Sequence, residues 1–147
     1  MKLSARGHYG LIAMAYLAQR ENEGPIPIKT IATAEQVPEQ FLEQILFSMR
    51  KAGLVSSVRG PRGGYTLSRS SADITAGEVI RALEGPIAPV ECLEADAEEC
   101  CSKTDNCSTK FVWEKLRDTM VSVLDNITLQ EIAQRGDKLI VNLEQTK

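Results

Sequence analysis

The sequence IKTIATAEQVPEQFLEQILFSMRKAGLVSSVRGPRGGYTL, residues 28–67, decides the fold. In its first part, from Ile28 to Ala34, apolar residues recur at i, i+3 and i+4 spacing, which predicts a short helix. A second helix is predicted to begin at Pro38, because proline has no N–H to leave unpaired in a first turn. Gly53 is predicted to end this helix, because glycine tolerates the positive φ found just beyond many helix C-termini. Two helices joined by a tight turn indicate a helix-turn-helix.

The second helix is amphipathic. Its apolar residues recur at helical spacing and form the face that we expect to be buried: Phe41, Leu42, Ile45, Leu46 and Met49. The opposite face carries the polar residues Glu39, Gln40, Glu43, Gln44 and Arg50. Side-chain amides can pair with adenine in the major groove of DNA, and a carboxylate can accept a hydrogen bond from cytosine. These five residues are therefore candidate DNA contacts.

A β-hairpin with a basic tip is predicted after the helix. Short strand-like segments at 54–58 and 65–67 flank a cluster of turn residues that contains Arg59 and Arg62. Between Glu43 and Asp73 the chain has five cationic residues and no acidic one. A recognition helix followed by a cationic, glycine-rich hairpin indicates winged-helix DNA binding, with the helix in the major groove and the wing on the backbone. The alternative is an ordinary helix and hairpin with a solvated charged face.

The overall composition is that of an ordinary globular protein, with 147 residues, 43% of them hydrophobic and 25% charged. No apolar run is long enough to span a bilayer, and the N-terminus lacks a secretory hydrophobic region, so we expect a cytoplasmic protein with no membrane partner. The net charge of −3 is divided unevenly: residues 1–83 carry +3 and residues 84–147 carry −6. This division is compatible with a basic DNA-binding surface and an acidic remainder that repels DNA.

Further helices are predicted on both sides of this stretch. The segment from Ser4 to Arg20 is dense in apolar residues, and Lys2 and Arg6 near its start are candidates for phosphate contacts. Thr75 and Glu78 have the spacing of a capping box, which predicts a short helix as far as Glu84.

The segment from Lys110 to Asn126 is predicted to be a long helix with an apolar stripe at three- and four-residue spacing. This stripe consists of Trp113, Leu116, Met120, Val123, Leu124 and Ile127. It could pack on the first helix or form a two-fold dimer interface, and we favour the homodimer because short DNA targets are usually bound by symmetric pairs. A second capping box, Thr128 to Glu131, predicts a short helix that Gly136 ends.

The four cysteines, Cys92, Cys100, Cys101 and Cys107, lie in or at the end of an acidic segment without periodicity. A reducing cytoplasm argues against disulfides. Structural zinc sites usually contain paired C-x2-C units, which are absent, and the spacing matches neither common ferredoxin pattern. Simple thiol sensing is disfavoured because the surrounding acidic residues would raise the thiol pKa values. The spacing alone leaves zinc, an iron-sulfur cluster and thiol chemistry open.

Several segments together resemble a known family. They are MKLSARGHYG, FLEQI, RKAGLVSSVRGPRGGYTL, TAGEVI, ALEGPIAPVE, WEKL and NITLQEI. From residue 1 to about 135 the chain is similar to the bacterial winged-helix regulators that include the iron-sulfur cluster regulator IscR and the cysteine-metabolism repressor CymR. The resemblance implies a mainly α fold with a small β-hairpin wing and a long C-terminal dimerisation helix. It also divides the chain into a DNA-binding domain (1–84), a cysteine-bearing sensor loop (85–108) and a dimerisation helix with a C-terminal segment (109–147).

Within that family the cysteine loop followed by a Trp-bearing helix is similar to the IscR branch, whose members bind a 2Fe-2S cluster through three cysteines and a histidine. This likeness implies that Cys92, Cys101 and Cys107 are ligands. Lys110 stands in the C-x-x-H position where the family has histidine, so the candidate fourth ligands are Cys100, a loop carboxylate or Glu43 of a partner subunit. Cys100 is also a candidate substitute for Cys101.

The implied function is a homodimeric regulator that binds a double-stranded DNA operator and controls cluster-biogenesis genes according to cluster status. Cluster-assembly proteins are further candidate partners. A zinc- or thiol-responsive repressor of the same fold is the alternative. An enzyme is disfavoured, because no Ser/His/Asp, H-E-x-x-H or P-loop constellation is present.

Overall fold

The computed structural model describes residues 3–94 and 106–145, and for residues 139–144 it describes the backbone alone. The predicted functional residues Lys2, Cys100 and Cys101 lie outside the described residues. Within these described ranges, six α-helices and one hairpin form the fold. In chain order they are α1 (Ala5–Gln19), α2 (Ile28–Glu35), α3 (Glu39–Lys51), β1 (Val55–Val58), β2 (Gly64–Leu67), α4 (Ala76–Glu84), α5 (Lys110–Asp125) and α6 (Leu129–Gln145). None of the helices described is long and apolar enough to cross a membrane.

The predicted helix-turn-helix is confirmed. Gln36, in the left-handed conformation with φ of 54°, ends α2, and its backbone N–H donates to the carbonyl of Ala32. Pro38 directly precedes α3, and Gly53 follows its C-terminal end with a φ of 77°. Local residue preferences therefore set both ends of the recognition helix.

The hydrophobic core lies where α1 meets α3, α4 and α6. Its largest fully buried side chains are Met14, Leu17, Ile31, Leu42, Ile45, Leu46, Met49, Ile74, Val79 and Leu129. The predicted apolar face of α3 is buried, with Phe41 partly exposed at its edge. Gly10 allows α1 to lie close to α3 and α4, because a Cβ at this position would meet the side chains of Met49 and Leu83.

Helix α4 begins with the predicted capping box. Thr75 Oγ1 accepts from the backbone N–H of Glu78 at 3.2 Å, and the Glu78 carboxylate accepts from the N–H of Thr75 at 3.0 Å. At its other end, the Glu84 carboxylate accepts from the N–H of Gly7 at 3.0 Å and from the hydroxyl of Ser4. The negative charge of this carboxylate also interacts favourably with the positive N-terminal end of the α1 dipole. Glu84 thus connects α4 to α1.

The wing is a two-stranded antiparallel hairpin in which Val55 pairs with Leu67 and Val58 with Gly64. Its base is attached to the loop before α2 by two hydrogen bonds between the backbones of Ile26 and Tyr65, of 2.9 and 2.8 Å. Gly64 has a φ of 155°, and an added Cβ would collide with the carbonyl of Ile26. This position therefore requires glycine.

The predicted end of the last helix at Gly136 is wrong. Helix α6 continues through this residue to Gln145 and packs on α1, where Leu129 and Ala133 are buried in the core. A glycine in a helix interior costs roughly 1 kcal/mol. Gly136 lies close to α1, where an added Cβ would meet the side chain of Gln19. Helix α5 contacts α4, so α6 occupies the position on α1 that had been considered for α5.

Candidate DNA-binding surface and cysteine segment

The polar residues of α3 form one exposed surface with the wing. Glu39, Gln40, Glu43, Gln44 and Arg50 are all exposed, as predicted. Arg50 Nη1 donates to Ser57 Oγ on β1 at 3.1 Å and so connects the helix to the hairpin. We call this the α3–wing surface and define it as the five polar residues of α3 together with Phe47, Ser48, Ser57, Arg59 and Arg62.

Arg6 extends this surface from α1. Its Nη2 donates to Ser48 Oγ at 2.7 Å, and the Ser48 hydroxyl in turn donates to the carbonyl of Gln44 at 3.2 Å. The sequence predicted Arg6 as a phosphate contact, but it did not predict that Ser48 or Ser57 would belong to this surface. The only available signal for Ser48 was its position one helical turn after Gln44.

The wing tip presents Arg59 and Arg62, both exposed. The turn between them closes through a hydrogen bond of 2.9 Å from the N–H of Gly63 to the carbonyl of Gly60. An added Cβ at Gly63 would meet the carbonyl of Val58. The glycines therefore allow a tight tip that projects two cationic side chains.

Arg69 is not part of the group of exposed arginines on the α3–wing surface. Its guanidinium contacts the Glu78 carboxylate at 2.7 Å and donates to the carbonyl of Asp73 at 3.2 Å. Burial would raise the pKa of Glu78, but the hydrogen bonds from Arg69 and Thr75 hold it below its usual value. The charge of Arg69 is therefore matched within the fold, where its role is to brace the start of α4.

The described cysteines lie on either side of residues 95–105. Cys92 is half-buried in the 3-10 turn Glu91–Leu93, and Cys107 is exposed just before α5. Cys107 Sγ lies 3.3 Å from Thr109 Oγ1. Hydrogen bonding from the Thr109 side chain, and then from its backbone, lowers the pKa of the Cys107 thiol, and Lys110 adds to this effect. For Cys107 the expectation of a raised pKa is therefore wrong, because the Thr109 hydrogen bonds and the Lys110 charge favour the thiolate.

Lys110, at the predicted ligand position, lies 3.9 Å from the Glu114 carboxylate on the same helix. A protonated ammonium has no lone pair to give a metal. Among the residues the structure describes, no group of three or more His, Cys, Asp or Glu side chains is arranged to hold a metal ion. Cys92 and Cys107 are the predicted ligands whose positions are known.

Helix α5 leaves its apolar stripe exposed. All sixteen residues of Lys110–Asp125 are described and none is buried; Trp113, Leu116 and Val123 are 36%, 37% and 53% exposed. Two residues of the stripe, Met120 and Leu124, line an apolar concavity together with Leu3, Leu11, Ile80 and Ile87. The C-terminal end of α5 is held to α4 by a bidentate ion pair in which Arg81 contacts Asp125 at 2.7 and 2.8 Å.

Comparison with known proteins identifies this arrangement. Residues 3–135 match the model of the Rrf2 family, which is described as an iron-dependent transcriptional regulator. The chain belongs to the Rrf2 family. Rrf2 members and the relatives below are transcriptional regulators rather than enzymes, so this Rrf2 chain is a DNA-binding transcriptional regulator.

Three relatives are similar along nearly the whole Rrf2 chain. CymR of Bacillus subtilis is 44% identical over 137 residues, which is 93% of each chain; its solved structure has a TM-score of 0.76 at 41% identity, covering 92% of this chain and 98% of that one. IscR of Serratia proteamaculans is 36% identical over 141 residues, 96% of this chain and 84% of the relative. The structure of T. potens IscR has a TM-score of 0.77 at 42% identity and covers 95% and 90% of the two chains. The winged-helix fold is thereby confirmed.

Proposed function

We propose that this Rrf2 regulator is a homodimeric repressor that binds operator DNA through two α3–wing surfaces and responds to iron-sulfur status through a 2Fe-2S cluster in its cysteine segment. The proposal keeps the division into a DNA-binding region (1–84), a sensor segment (85–108) and a dimerisation region (109–147). The genes that build iron-sulfur clusters are its proposed targets, and cluster-assembly proteins its further partners.

In the proposed complex, α3 lies in the major groove and the wing follows the backbone. Glu39, Gln40, Glu43 and Gln44 contact base edges, because they lie on the exposed face of the first turns of α3. Lys2, Arg50, Arg59 and Arg62 supply charge to the backbone. Arg50 is held in position by Ser57, so little side-chain entropy remains to be lost when it meets a phosphate.

The position of Cys107 carries the sensing proposal. This exposed cysteine stands three residues before the start of α5, directly after the segment that contains Cys100 and Cys101. A group bound by Cys107 together with Cys92 and Cys101 would join the sensor segment to the N-terminal end of the proposed dimerisation helix. Thiolates suit iron-sulfur clusters, and the Thr109 hydrogen bond favours the thiolate form of Cys107. The similarity to two IscR proteins supports the cluster as the bound group.

The fourth ligand is proposed to be other than Lys110, which is paired with Glu114. Cys100 is the first candidate because it is a thiolate beside Cys101. A carboxylate of the cysteine segment and Glu43 of a second copy of this chain are the other candidates. When bound, a 2Fe-2S cluster would supply an oxidation-sensitive group whose presence or loss can be sensed.

Anaerobic purification followed by absorption and circular dichroism spectroscopy tests the cluster. We expect a coloured protein with the spectrum of a 2Fe-2S centre, and loss of that spectrum in Cys92→Ala, Cys101→Ala and Cys107→Ala. Ser108→Ala is the matched control and should keep the colour. Loss of the cluster in Cys100→Ala would assign the fourth ligand to that thiolate, whereas Lys110→His should make the cluster more persistent in air. A colourless anaerobic preparation would overturn the cluster proposal and leave the DNA-binding surface intact.

The similarity to CymR favours a second candidate, a thiol- or zinc-responsive repressor. CymR of B. subtilis is described as the global cysteine regulator, and Cys107 is exposed. Hydrogen peroxide would oxidise the Cys107 thiolate to a sulfenic acid with release of hydroxide, and dithiothreitol would reduce it again. A colourless protein that loses operator binding in peroxide and regains it in dithiothreitol would support this candidate. Stoichiometric zinc would support the zinc version instead.

A further inference from the structure

One aromatic residue on the α3–wing surface lies outside the hydrophobic core. Phe47 is 57% exposed, whereas its apolar neighbours on α3, Leu42, Ile45, Leu46 and Met49, are all fully buried. It lies one helical turn after Glu43 and Gln44 and lines the same concavity as these two residues and Arg50. An exposed phenylalanine is unremarkable on an arbitrary surface, but here it stands among the side chains that face DNA.

The ring of Phe47 is held in a defined position. The guanidinium carbon of Arg50 lies 5.8 Å from the ring centroid, within the range of a cation–π contact. Arg50 is itself hydrogen-bonded to Ser57 on the wing. The ring is therefore supported from the wing side, and its remaining surface is exposed beside Gln44.

We infer that Phe47 is a specificity-determining residue that contacts the 5-methyl group of a thymine in the major groove. The thymine methyl is the apolar feature of the major-groove edge, and apolar side chains recognise it. Phe47 lies about 4.5 Å beyond Gln44 along the helix axis, and base pairs are spaced by about 3.4 Å. The thymine therefore lies one or two base pairs from the base that Gln44 contacts. This inference rests on the proposed role of α3 as the recognition helix.

The probe is a DNA duplex that the wild-type protein selects from a pool of random sequences. The selected duplex is then synthesised with deoxyuridine in place of each thymine in turn, which removes one methyl group and leaves the Watson–Crick pairing unchanged. Affinity is measured by fluorescence anisotropy. In each half-site we expect one thymine at which replacement by uracil, made in that half-site alone, weakens wild-type binding about fourfold. This factor corresponds to the free energy of transferring one methyl group out of water. Substitution in both half-sites should cost about fifteenfold.

Phe47→Ala should lose this discrimination and bind the thymine and uracil duplexes equally. Phe111→Ala is the matched control: it removes a 67% exposed phenylalanine from α5 and should keep the wild-type uracil penalty. A uracil penalty that persists in Phe47→Ala would overturn the inference. The wild-type uracil scan is decisive even where Phe47→Ala fails to fold, because a half-site in which no thymine methyl contributes would also overturn it. Failure of the recognition-helix proposal is separate, since Gln44→Ala would then leave the selected sequence preference unchanged.

Discussion

At the scale of single residues, one ion pair orients α5 on the DNA-binding region. Both nitrogens of the Arg81 guanidinium meet the two carboxylate oxygens of Asp125, and an added Cβ at Gly77 would meet this carboxylate. The hydrogen bond from Arg81 lowers the pKa of Asp125, and the same contact raises the pKa of Arg81. Both side chains are more than one-third exposed, so solvent screens part of the attraction.

Asp125→Asn should destabilise the protein by about 1 kcal/mol at pH 7, which corresponds to a fall in Tm of about 2–4 °C. The carboxylate has a lower pKa in the folded protein than its ordinary value of 3.8. Its contribution is therefore fully present above about pH 4 and is lost as the pH falls through the folded pKa. The stability difference between wild type and variant should shrink below pH 4, as measured by urea denaturation across that range.

The control for this prediction is Asp118→Asn, which removes a carboxylate that is 68% exposed and pairs with the adjacent Arg117. Its stability should match that of the wild type. Equal stability of Asp125→Asn and wild type at pH 7 would show that the bidentate pair contributes nothing.

At the scale of elements, the contrast between α5 and α6 decides how the molecule assembles. Helix α6 buries Leu129 and Ala133 against α1. Helix α5 contacts α4 at its C-terminal end and leaves its apolar stripe and the adjoining concavity exposed. A stripe of this width usually buries against a partner, which supports α5 as the proposed two-fold interface.

Leu116→Glu should convert the proposed dimer into a monomer, because two glutamates would face an apolar interface across the two-fold axis. Light scattering at micromolar concentration measures the mass. The emission of Trp113, the sole tryptophan of the sequence, should shift to longer wavelength as its surroundings become hydrated. Operator binding should fall with the dimer, because one subunit contacts only one half-site.

Phe111→Glu introduces the same charge on the opposite side of α5, where it should leave the dimer unchanged. A wild-type protein that scatters as a monomer, or a dimeric Leu116→Glu variant, would remove α5 as the interface.

At the scale of the whole molecule, charge is segregated along the chain. Residues 1–83 carry +3 and residues 84–147 carry −6, and the α3–wing surface carries exposed cations at Arg50, Arg59 and Arg62. Phosphate contacts release counterions, so affinity depends steeply on salt. A two-fold dimer should bind a pseudo-palindrome whose half-sites are separated by about one helical turn or a small multiple of it.

Arg62→Ala should weaken binding to operator and scrambled duplexes alike and should reduce the slope of log affinity against log salt by about two, one for each subunit. Gel shifts at several salt concentrations measure this slope. Arg135→Ala is the matched control, because Arg135 is exposed on α6 and paired with Glu131. An unchanged slope in Arg62→Ala would exclude the wing tip from the phosphate contacts.

Features that depend on local sequence were predictable. Pro38 and Gly53 frame α3, and Thr75 with Glu78 caps α4, because helix ends depend on residues within one turn. The prediction at Gly136 was wrong because the same local rule took no account of α1, which lies so close to this residue that an added Cβ would meet the Gln19 side chain.

Contacts between distant residues were not predictable in this way. Arg6 meets Ser48 across 42 positions of the sequence, and Arg81 meets Asp125 across 44. The pKa of Cys107 was misjudged for a related reason: the prediction counted the acidic residues nearby in the sequence and took no account of the hydrogen bonds from Thr109. The resemblance to known regulators predicted the family, whereas the α3–wing surface depends on contacts that only the fold brings together.

The packing of α6 on α1 has a consequence for how the protein is made. Helix α1 is synthesised before the residues that cover one of its faces, Leu129 and Ala133, which follow α2 to α5 in the chain. Until then an apolar face of α1 stays open to solvent and to other nascent chains. Completion of the core therefore waits for the synthesis of α6.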